Sequence, residues 1–311
     1  MNHESSSSNI RIGNAPCSWG VEFGDDPRNP AWTQVLDDAR DAGYQGMELG
    51  PLGFLPEDPA ALTEAMQSRG LTLTAAVMFR PVHDPARRDE VLDVTHRTCR
   101  SLRTLGAEQF VIIDSIAAAR APTAGRPSEA ERHPDWDGFM RRLREICEIA
   151  AGEYGMTVSL HAHAAGYLEF EDEVHRAMDA IPASLLGLCV DTGHCEYAGT
   201  DPVQLYRTYA ERVPYVHFKD VDAAVRERVV TNRIGFYDAC AQGLFCNLGD
   251  GVVDFAGFRD ALGEHGYGGW GTVEQDCDPQ AAAAPVDDAR ANHDFLRRAG
   301  LADGAASGSE A

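Results

Sequence analysis

The chain has 311 residues, of which 44% are hydrophobic, 24% charged and 8% aromatic; 49 acidic against 27 basic residues give a formal net charge of −22. This composition is that of an ordinary globular protein with ample apolar residues for a core, and it excludes collagen-like and wholly disordered chains. Because so acidic a surface repels phosphate backbones and anionic lipids, we expect neither nucleic acid nor a membrane as a partner.

Both ends of the chain are predicted to be tails, and the segment between them to be one domain. Residues 1–9 and 302–311 are rich in Ser, Gly, Ala and acidic residues, which is typical of frayed termini. Residues 10–301 alternate short apolar runs with amphipathic ones, without a linker between them. We expect no signal peptide, because the first tail lacks an apolar segment, and no transmembrane helix, because no apolar run reaches about 18 residues.

Short β-prone runs and longer helix-prone runs alternate along the domain. The predicted strands are IRIGNA (10–15), GMELG (46–50), LTLTAAVM (71–78), QFVIIDS (109–115), MTVSLHAH (156–163), LLGLCVD (185–191), VPYVHFKD (213–220) and WGTVEQD (270–276). The predicted helices are 32–43, 61–70, 89–106, 136–155, 171–181, 201–212 and 255–266. Several of these helices end in Gly, which is typical of a C-cap before the next strand.

The alternation predicts an α/β protein with a single (β/α)₈ TIM barrel. Strands joined by crossover helices form parallel sheets, and eight such units match the count of a closed barrel. An open doubly wound sheet is the alternative, but the turn after the first strand, NAPCSWG, lacks the GxGxxG pattern typical of that fold. Two long insertions, 115–135 and 221–254, follow strands four and seven on the side where such a barrel carries its active site.

Ionisable residues stand at the carboxyl end of seven of the eight predicted strands. They are Glu48, Arg80, Asp114, His161 with His163, Asp191 with His194, His217 with Lys219, and Glu274 with Asp276. In a closed barrel these ends meet at one mouth. Buried charges are costly unless they are paired or bound to a metal, so the pattern predicts a catalytic site rather than a stabilising one.

The last four strands supply a candidate metal site made of His161, Asp191, His217 and Glu274. Two imidazoles and two carboxylates form a mixed nitrogen and oxygen set, which suits Mn²⁺, Co²⁺, Zn²⁺ or Fe²⁺ better than Ca²⁺. A charge-balanced hydrogen-bond network without a metal is the alternative interpretation.

Three further residues are candidates for catalysis. His163 lies two positions after His161 and shares its face of the strand, so it is predicted to serve as an acid, a base or a ligand. His194 follows Asp191 where the strand ends and is predicted to touch the substrate, with a loop-bracing role as the alternative. Lys219 is predicted to donate a proton or to hold an oxyanion, with a rim salt bridge as the alternative.

Two residues near the start of the chain are predicted to bind the substrate. Glu48 would point toward the mouth and bind hydroxyl groups or act as a base, unless it caps a helix instead. Trp19, just after the first strand, would stack on the C–H face of a polyol, and packing in the core is an equal alternative. Arg80 and Asp114 are weaker candidates without an assigned role.

Seven segments resemble the xylose-isomerase-like TIM-barrel group, which includes sugar isomerases, ketose 3-epimerases and inosose dehydratases. They span residues 11 to 276 and read IGNAPCSWGVEF, AGYQGMELGPLGFLPEDP, SLHAHAAGYLE, LCVDTGHCEYAGTDP, RVPYVHFKD, LGDGVVDF and GYGGWGTVEQD. The first two are most similar to the inosose (2-keto-myo-inositol) dehydratase branch.

The resemblance implies one divalent metal ion, Mn²⁺ or Co²⁺ first and Zn²⁺, Fe²⁺ or Mg²⁺ as alternatives, held by Asp191, His217 and Glu274. In epimerases of this group the position that matches His161 is a glutamate, which carries one of two opposed proton transfers. Its absence here favours dehydration. The implied substrate is a small polyol or keto sugar, and relatives in this group often form homo-oligomers.

These expectations combine into a hydro-lyase that removes water from a cyclic polyhydroxy ketone such as an inosose, through a metal-stabilised enediolate. His163 or Glu274 would be the base, with His163 favoured because a metal ligand has a depressed pKa; Lys219 or His194 would be the acid. The alternatives are a metal-dependent keto-sugar isomerase or epimerase and a catalytically silent polyol-binding barrel.

Eight cysteines without a CxxC pair favour a thiol-bearing cytoplasmic protein.

Overall fold

Parallel strands alternate with helices along residues 10–278 and 285–302, the part of the chain that this computed structural model describes. Residues 1–9 and 303–311, which fall in the predicted tails, lie outside the described residues. Within the described ranges, no helix has the length and apolar character needed to cross a lipid bilayer. The eight cysteines are all free thiols.

Eight parallel strands form the barrel, and the predicted (β/α)₈ fold is confirmed. They are β1 (Arg11–Asn14), β2 (Gly46–Met47), β3 (Thr72–Leu73 and Ala75–Arg80), β4 (Gln109–Asp114), β5 (Thr157–His161), β6 (Gly187–Asp191), β7 (Tyr215–Phe218) and β8 (Trp270–Val273). The first half of β3 pairs with β2 and its second half pairs with β4. Because β1 also pairs with β8, the sheet returns to the same strand and closes.

The predicted third strand is interrupted at Thr74. The backbone N–H of this residue donates to Met47 O at 3.0 Å, and Leu49 donates to Ala75 O at 3.0 Å, so β2 and β3 stay in contact across the break. Gly46 makes this approach possible, because a Cβ there would lie 2.3 Å from the Thr74 methyl group. The strand therefore bends where the barrel closes.

Eleven α-helices surround the strands in the described residues. They are α1 (Trp32–Asp41), α2 (Pro59–Gln67), α3 (Arg88–Thr104), α4 (Trp136–Tyr154), α5 (Glu171–Ala180), α6 (Thr192–Ala198), α7 (Pro202–Tyr209), α8 (Ala223–Thr231), α9 (Phe236–Ala241), α10 (Phe255–Glu264) and α11 (Pro285–Arg298). The seven predicted helices correspond to α1 to α5, α7 and α10. The helices α6, α8, α9 and α11 were not predicted.

The insertion after β7 folds into a separate unit, residues 220–246, which we call the cap. Its ends, Asp220–Val221 and Phe245–Cys246, pair antiparallel and enclose α8 and α9. The cap shares a second apolar core with the loops after β4, β5 and β6. The buried members of this core are Ala124, Ala164, Ala165, Tyr197, Val221, Val229, Phe236, Ala239, Cys240, Leu244 and Phe245. The cap is therefore packed against the catalytic end of the barrel.

Candidate active site and metal centre

Four ionisable side chains converge at the carboxyl ends of β5 to β8. His161 ends β5, Asp191 ends β6, His217 lies in β7 and Glu274 follows β8. Each offers one ligand atom, these atoms all lie within 4.8 Å of one another, and all four residues are buried. The structure thus brings together the four side chains that the sequence predicted as metal ligands.

The geometry and chemistry of this cluster fit one divalent cation. Ligand atoms bonded to one ion at about 2.0–2.2 Å lie at most about 4.4 Å apart, so only a small side-chain movement separates the cluster from a coordination sphere. The Nδ1 atoms of His161 and His217 are buried without a hydrogen-bond partner among the described residues. The Nδ1 atom of His217 lies 3.2 Å from Glu274 Oε2 and 3.7 Å from Asp191 Oδ2. An unpartnered nitrogen facing two carboxylates is the arrangement expected of a cation site.

Glu48 orients the His217 ring. Its Oε1 atom lies 3.0 Å from His217 Nε2 and accepts a hydrogen bond from the Tyr215 hydroxyl at 2.9 Å. A carboxylate is an acceptor, so Nε2 donates its proton to Glu48, and Nδ1 is the ring atom left facing the candidate metal ligands. A carboxylate behind a ligating histidine is the usual second layer of a metal centre.

Lys219 places a buried ammonium group among three carboxylates. Its Nζ atom lies 2.6 Å from Asp276 Oδ2, 3.1 Å from Glu274 Oε2 and 3.5 Å from Asp191 Oδ2. Burial by itself would lower the pKa of Lys219, but these carboxylates raise it well above its ordinary value. Lys219 is therefore a fixed cation beside the four candidate metal ligands.

The start of α6 provides the space that Lys219 occupies. Thr192 Oγ1 accepts the Lys219 backbone N–H at 3.0 Å and donates to the Lys219 carbonyl at 2.7 Å. A Cβ at Gly193 would lie 2.5 Å from Lys219 Cγ, so a larger residue would displace the lysine. Asp191 also caps this helix by accepting the His194 N–H at 2.7 Å. The DTGH motif thus positions a ligand, a lysine and a histidine together.

The rings of His163 and His194 lie side by side, tilted by 35°, and carry opposite tautomers. His163 Nδ1 lies 2.9 Å from the Ala164 carbonyl, so it must donate, and Nε2 keeps the free lone pair. His194 Nδ1 accepts the Ala164 N–H at 3.3 Å, so its proton is on Nε2, which is buried without a hydrogen-bond partner in the described structure. The ring centroids are 4.2 Å apart. Burial lowers the pKa of His163 to about 3 and that of His194 well below its ordinary value, so both rings are neutral.

A cleft of about 750 Å³, open to solvent, lies above this cluster. Among the sequence-predicted residues it is lined by Glu48, Arg80, His163, His194, Lys219 and Glu274. Trp19 does not reach the cleft: it is 3% exposed in the apolar core, and its indole N–H donates to Asp38 Oδ2 at 3.2 Å. Trp19 therefore has the packing role that the sequence left as the alternative.

Three residues to which the sequence assigned no role also line or cover the site. Glu22 and Asp276 face the cleft, and burial, reinforced by Asp276, raises the pKa of Glu22 to about 8. Phe236 of the cap packs on His163 and His194, with ring centroids 4.8 and 5.7 Å away. The sequence pattern already places Asp276 at the end of the last strand, two residues after Glu274, whereas nothing in the sequence places Phe236 over the histidines.

A buried ion network ties the long loop after β4 to the turn after β5. Arg120 is fully buried, and its guanidinium binds both carboxylate oxygens of Glu173. Glu169 accepts the Gly125 N–H at 2.6 Å and the Ala165 N–H at 3.0 Å. Because the turn after β5 also carries His163, this network stabilises the wall of the candidate active site.

Comparisons with known proteins agree with this architecture. Residues 36–299 match the family model described as xylose isomerase-like TIM barrel. The chain is 33% identical to the rhizopine catabolism protein MocC of Rhizobium meliloti, over 95% of this chain and 90% of that protein. It is 32% identical to an inosose dehydratase of Geobacillus kaustophilus, over 93% and 94% of the two chains.

Among solved structures, that of the IOLI protein with a binding zinc atom is similar, with a TM-score of 0.72 at 14% identity. The match covers 93% of this chain and 98% of that one. At this level of identity the likeness shows the shared fold.

Proposed function

This chain belongs to the xylose isomerase-like TIM-barrel family, and from that premise we propose that it is a divalent-metal-dependent dehydratase of cyclic polyhydroxy ketones such as an inosose. One observation carries the proposal: His163, with a free ring lone pair, and His194, with an unpartnered ring N–H, lie side by side in the same cleft as the four candidate metal ligands. Elimination of water needs one group that removes a proton and another that delivers one.

The proposed metal ligands are His161, Asp191, His217 and Glu274. A divalent ion held there would polarise the substrate carbonyl and make the adjacent C–H bond more acidic. The protein's own charges support the same outcome, because the Lys219 ammonium stabilises negative charge that develops on a substrate oxygen.

His163 is the proposed general base. Its Nε2 lone pair takes the proton from the carbon next to the carbonyl, and the electrons of the broken C–H bond enter an enediolate. Glu274, the alternative base, is less suited, because it is a proposed metal ligand and its Oε2 atom is held by His217 Nδ1 at 3.2 Å and by Lys219 Nζ at 3.1 Å.

His194 is the proposed general acid. Its Nε2–H donates a proton to the hydroxyl on the next carbon, the C–O bond breaks, and the enediolate electrons form the new C=C bond as water leaves. The proton that His163 took from carbon then passes to His194, so that both rings end neutral. Lys219, the alternative acid, has its ammonium held by three carboxylates and is better suited to binding an oxyanion. Glu48 is proposed to contact substrate hydroxyls while it orients His217.

The test is incubation of the purified, Mn²⁺-loaded protein with 2-keto-myo-inositol, followed by mass spectrometry and ultraviolet spectroscopy. We expect a product lighter by one water that absorbs as an enone. Both His163→Ala and His194→Ala should abolish this product while leaving metal binding intact. A rearranged product of unchanged mass would instead support an isomerase or epimerase. Binding of the ketone without turnover and without bound metal would support a silent barrel.

A further inference from the structure

A second cleft adjoins the catalytic cleft. It encloses about 870 Å³, open to solvent, and shares Cys17, Glu22 and Asp276 with its neighbour. Its outer wall is formed by the loop after β1 and by α9 of the cap. A ligand whose reacting ring occupies the catalytic cleft can therefore extend past these shared residues into the second cleft.

The mouth of the second cleft carries a pair of exposed aromatic rings. Phe23 and Tyr237 are each 44% exposed, and together with Val252 they are the exposed large hydrophobic residues of the described chain. Their ring centroids are 6.3 Å apart. Solvent-exposed apolar groups concentrated at the rim of a cleft are typical of a binding site.

The helix α9 connects this rim to the catalytic residues. Phe236 packs on His163 and His194, and the next residue, Tyr237, lies at the rim. The Tyr237 hydroxyl lies 3.4 Å from Glu22 Oε1, one of the residues shared by the two clefts. The same short helix therefore contacts both sites.

The polar lining of the second cleft is mainly acidic. Glu22, Asp238 and Asp276 line it, and the guanidinium of its one arginine, Arg28, is bound by Asp26. Carboxylate oxygens accept hydrogen bonds from hydroxyl groups and repel phosphate or carboxylate substituents. Aromatic faces beside hydroxyl acceptors suit an uncharged sugar ring, which has apolar C–H faces and donor hydroxyls.

We propose that the second cleft is a subsite for an uncharged sugar ring attached to the reacting ring, so that the preferred substrate is a glycosylated cyclic polyhydroxy ketone. This inference rests on the proposed function for the class of the reacting ring. Phe23 and Tyr237 hold the apolar face of the attached ring, and the carboxyl groups of Glu22 and Asp238 form hydrogen bonds with its hydroxyls.

The test compares the affinities of two unreactive polyols, myo-inositol and its galactoside galactinol, for the Mn²⁺-loaded protein by titration calorimetry. We expect galactinol to bind about tenfold more tightly, which corresponds to about 1.4 kcal/mol. The variants Tyr237→Ala and Phe23→Ala should each remove most of this preference and leave the affinity for myo-inositol unchanged. Val252→Ala is the matched control, because Val252 is 46% exposed but lines neither cleft.

Equal affinities of the two polyols, or a preference that survives both rim variants, would overturn the subsite. A dimer in sedimentation experiments that both rim variants dissociate would also overturn it, because a second copy would then cover the rim. If neither polyol binds, the proposed substrate class fails and the subsite fails with it. A galactinol preference lost in the rim variants, together with a negative dehydration assay, supports the subsite and counts against the proposed reaction alone.

Discussion

The hydrogen bond between Glu48 and His217 leads to a quantitative prediction for Glu48→Gln. The carboxylate holds the Nε2 proton of His217 at 3.0 Å, and both side chains are buried, so solvent does not screen their interaction. Replacing the carboxylate by an amide removes its charge and lets the amide offer an N–H to the ring. Either change weakens the Nδ1 atom as a metal ligand. Loss of such a second-layer group typically lowers metal affinity by about 10–100-fold, or about 1.4–2.7 kcal/mol.

The assay is a competition titration of Mn²⁺ or Co²⁺ against a chromogenic chelator, with circular dichroism to verify folding. Tyr215→Phe is the matched control, because it removes the other hydrogen bond to Glu48 Oε1 at 2.9 Å and leaves the carboxylate in contact with His217. We expect Tyr215→Phe to change the metal affinity by less than about threefold, which is well below the loss expected for Glu48→Gln. Equal metal affinities for the wild type and Glu48→Gln, or equal losses in both variants, would refute the reasoning.

Four further predictions follow from the same geometry. Chelation should lower the melting temperature in calorimetry, because a ligand at a thousand times its dissociation constant stabilises the native state by about 4 kcal/mol; identical curves with and without chelator would contradict this. Metal affinity should rise with pH in the same titration, because the ion must displace a proton from His217; burial alone would lower the pKa of this ring, but neighbouring charges, Glu274 and Glu48 among them, raise it well above its ordinary value. Gly193→Ala should reduce kcat at least tenfold with metal affinity retained, because the new Cβ would lie 2.5 Å from Lys219 Cγ. Arg120→Met leaves the buried Glu173 carboxylate unpaired and should lower the free energy of unfolding by about 3–5 kcal/mol in urea titration. The control Arg132→Met removes an exposed ion pair and should cost at most about 1 kcal/mol.

The barrel and the set of four candidate metal ligands could be predicted because both follow from short patterns in the sequence. Alternating apolar runs mark the strands, and a strand that ends in a parallel barrel delivers its last side chain to the common mouth. His161, Asp191 and His217 stand at or near such ends, and Glu274 directly follows one. The geometry of the fold, and not the distance along the chain, brings them together.

The roles of the other site residues and the helices of the cap depend on contacts that the sequence pattern does not encode. Trp19 and Glu22 lie three residues apart after β1, yet the tryptophan enters the core and the glutamate faces the cleft, because Gly20, with a φ of 76°, turns the chain between them. The roles of His163 and His194 depend on which ring nitrogen meets the backbone of Ala164. The short helices of the cap have too few residues for a clear periodicity.

The separate core of the cap has an evolutionary consequence. Residues 220–246 pack largely among themselves and against three neighbouring loops, whereas the proposed ligands stand on the strands beneath. Substitutions at the tip of this unit can remodel the entrance without disturbing the cation centre. New specificities can therefore arise in descendants of this barrel through changes at the tip of this unit, while the proposed ligands keep their positions.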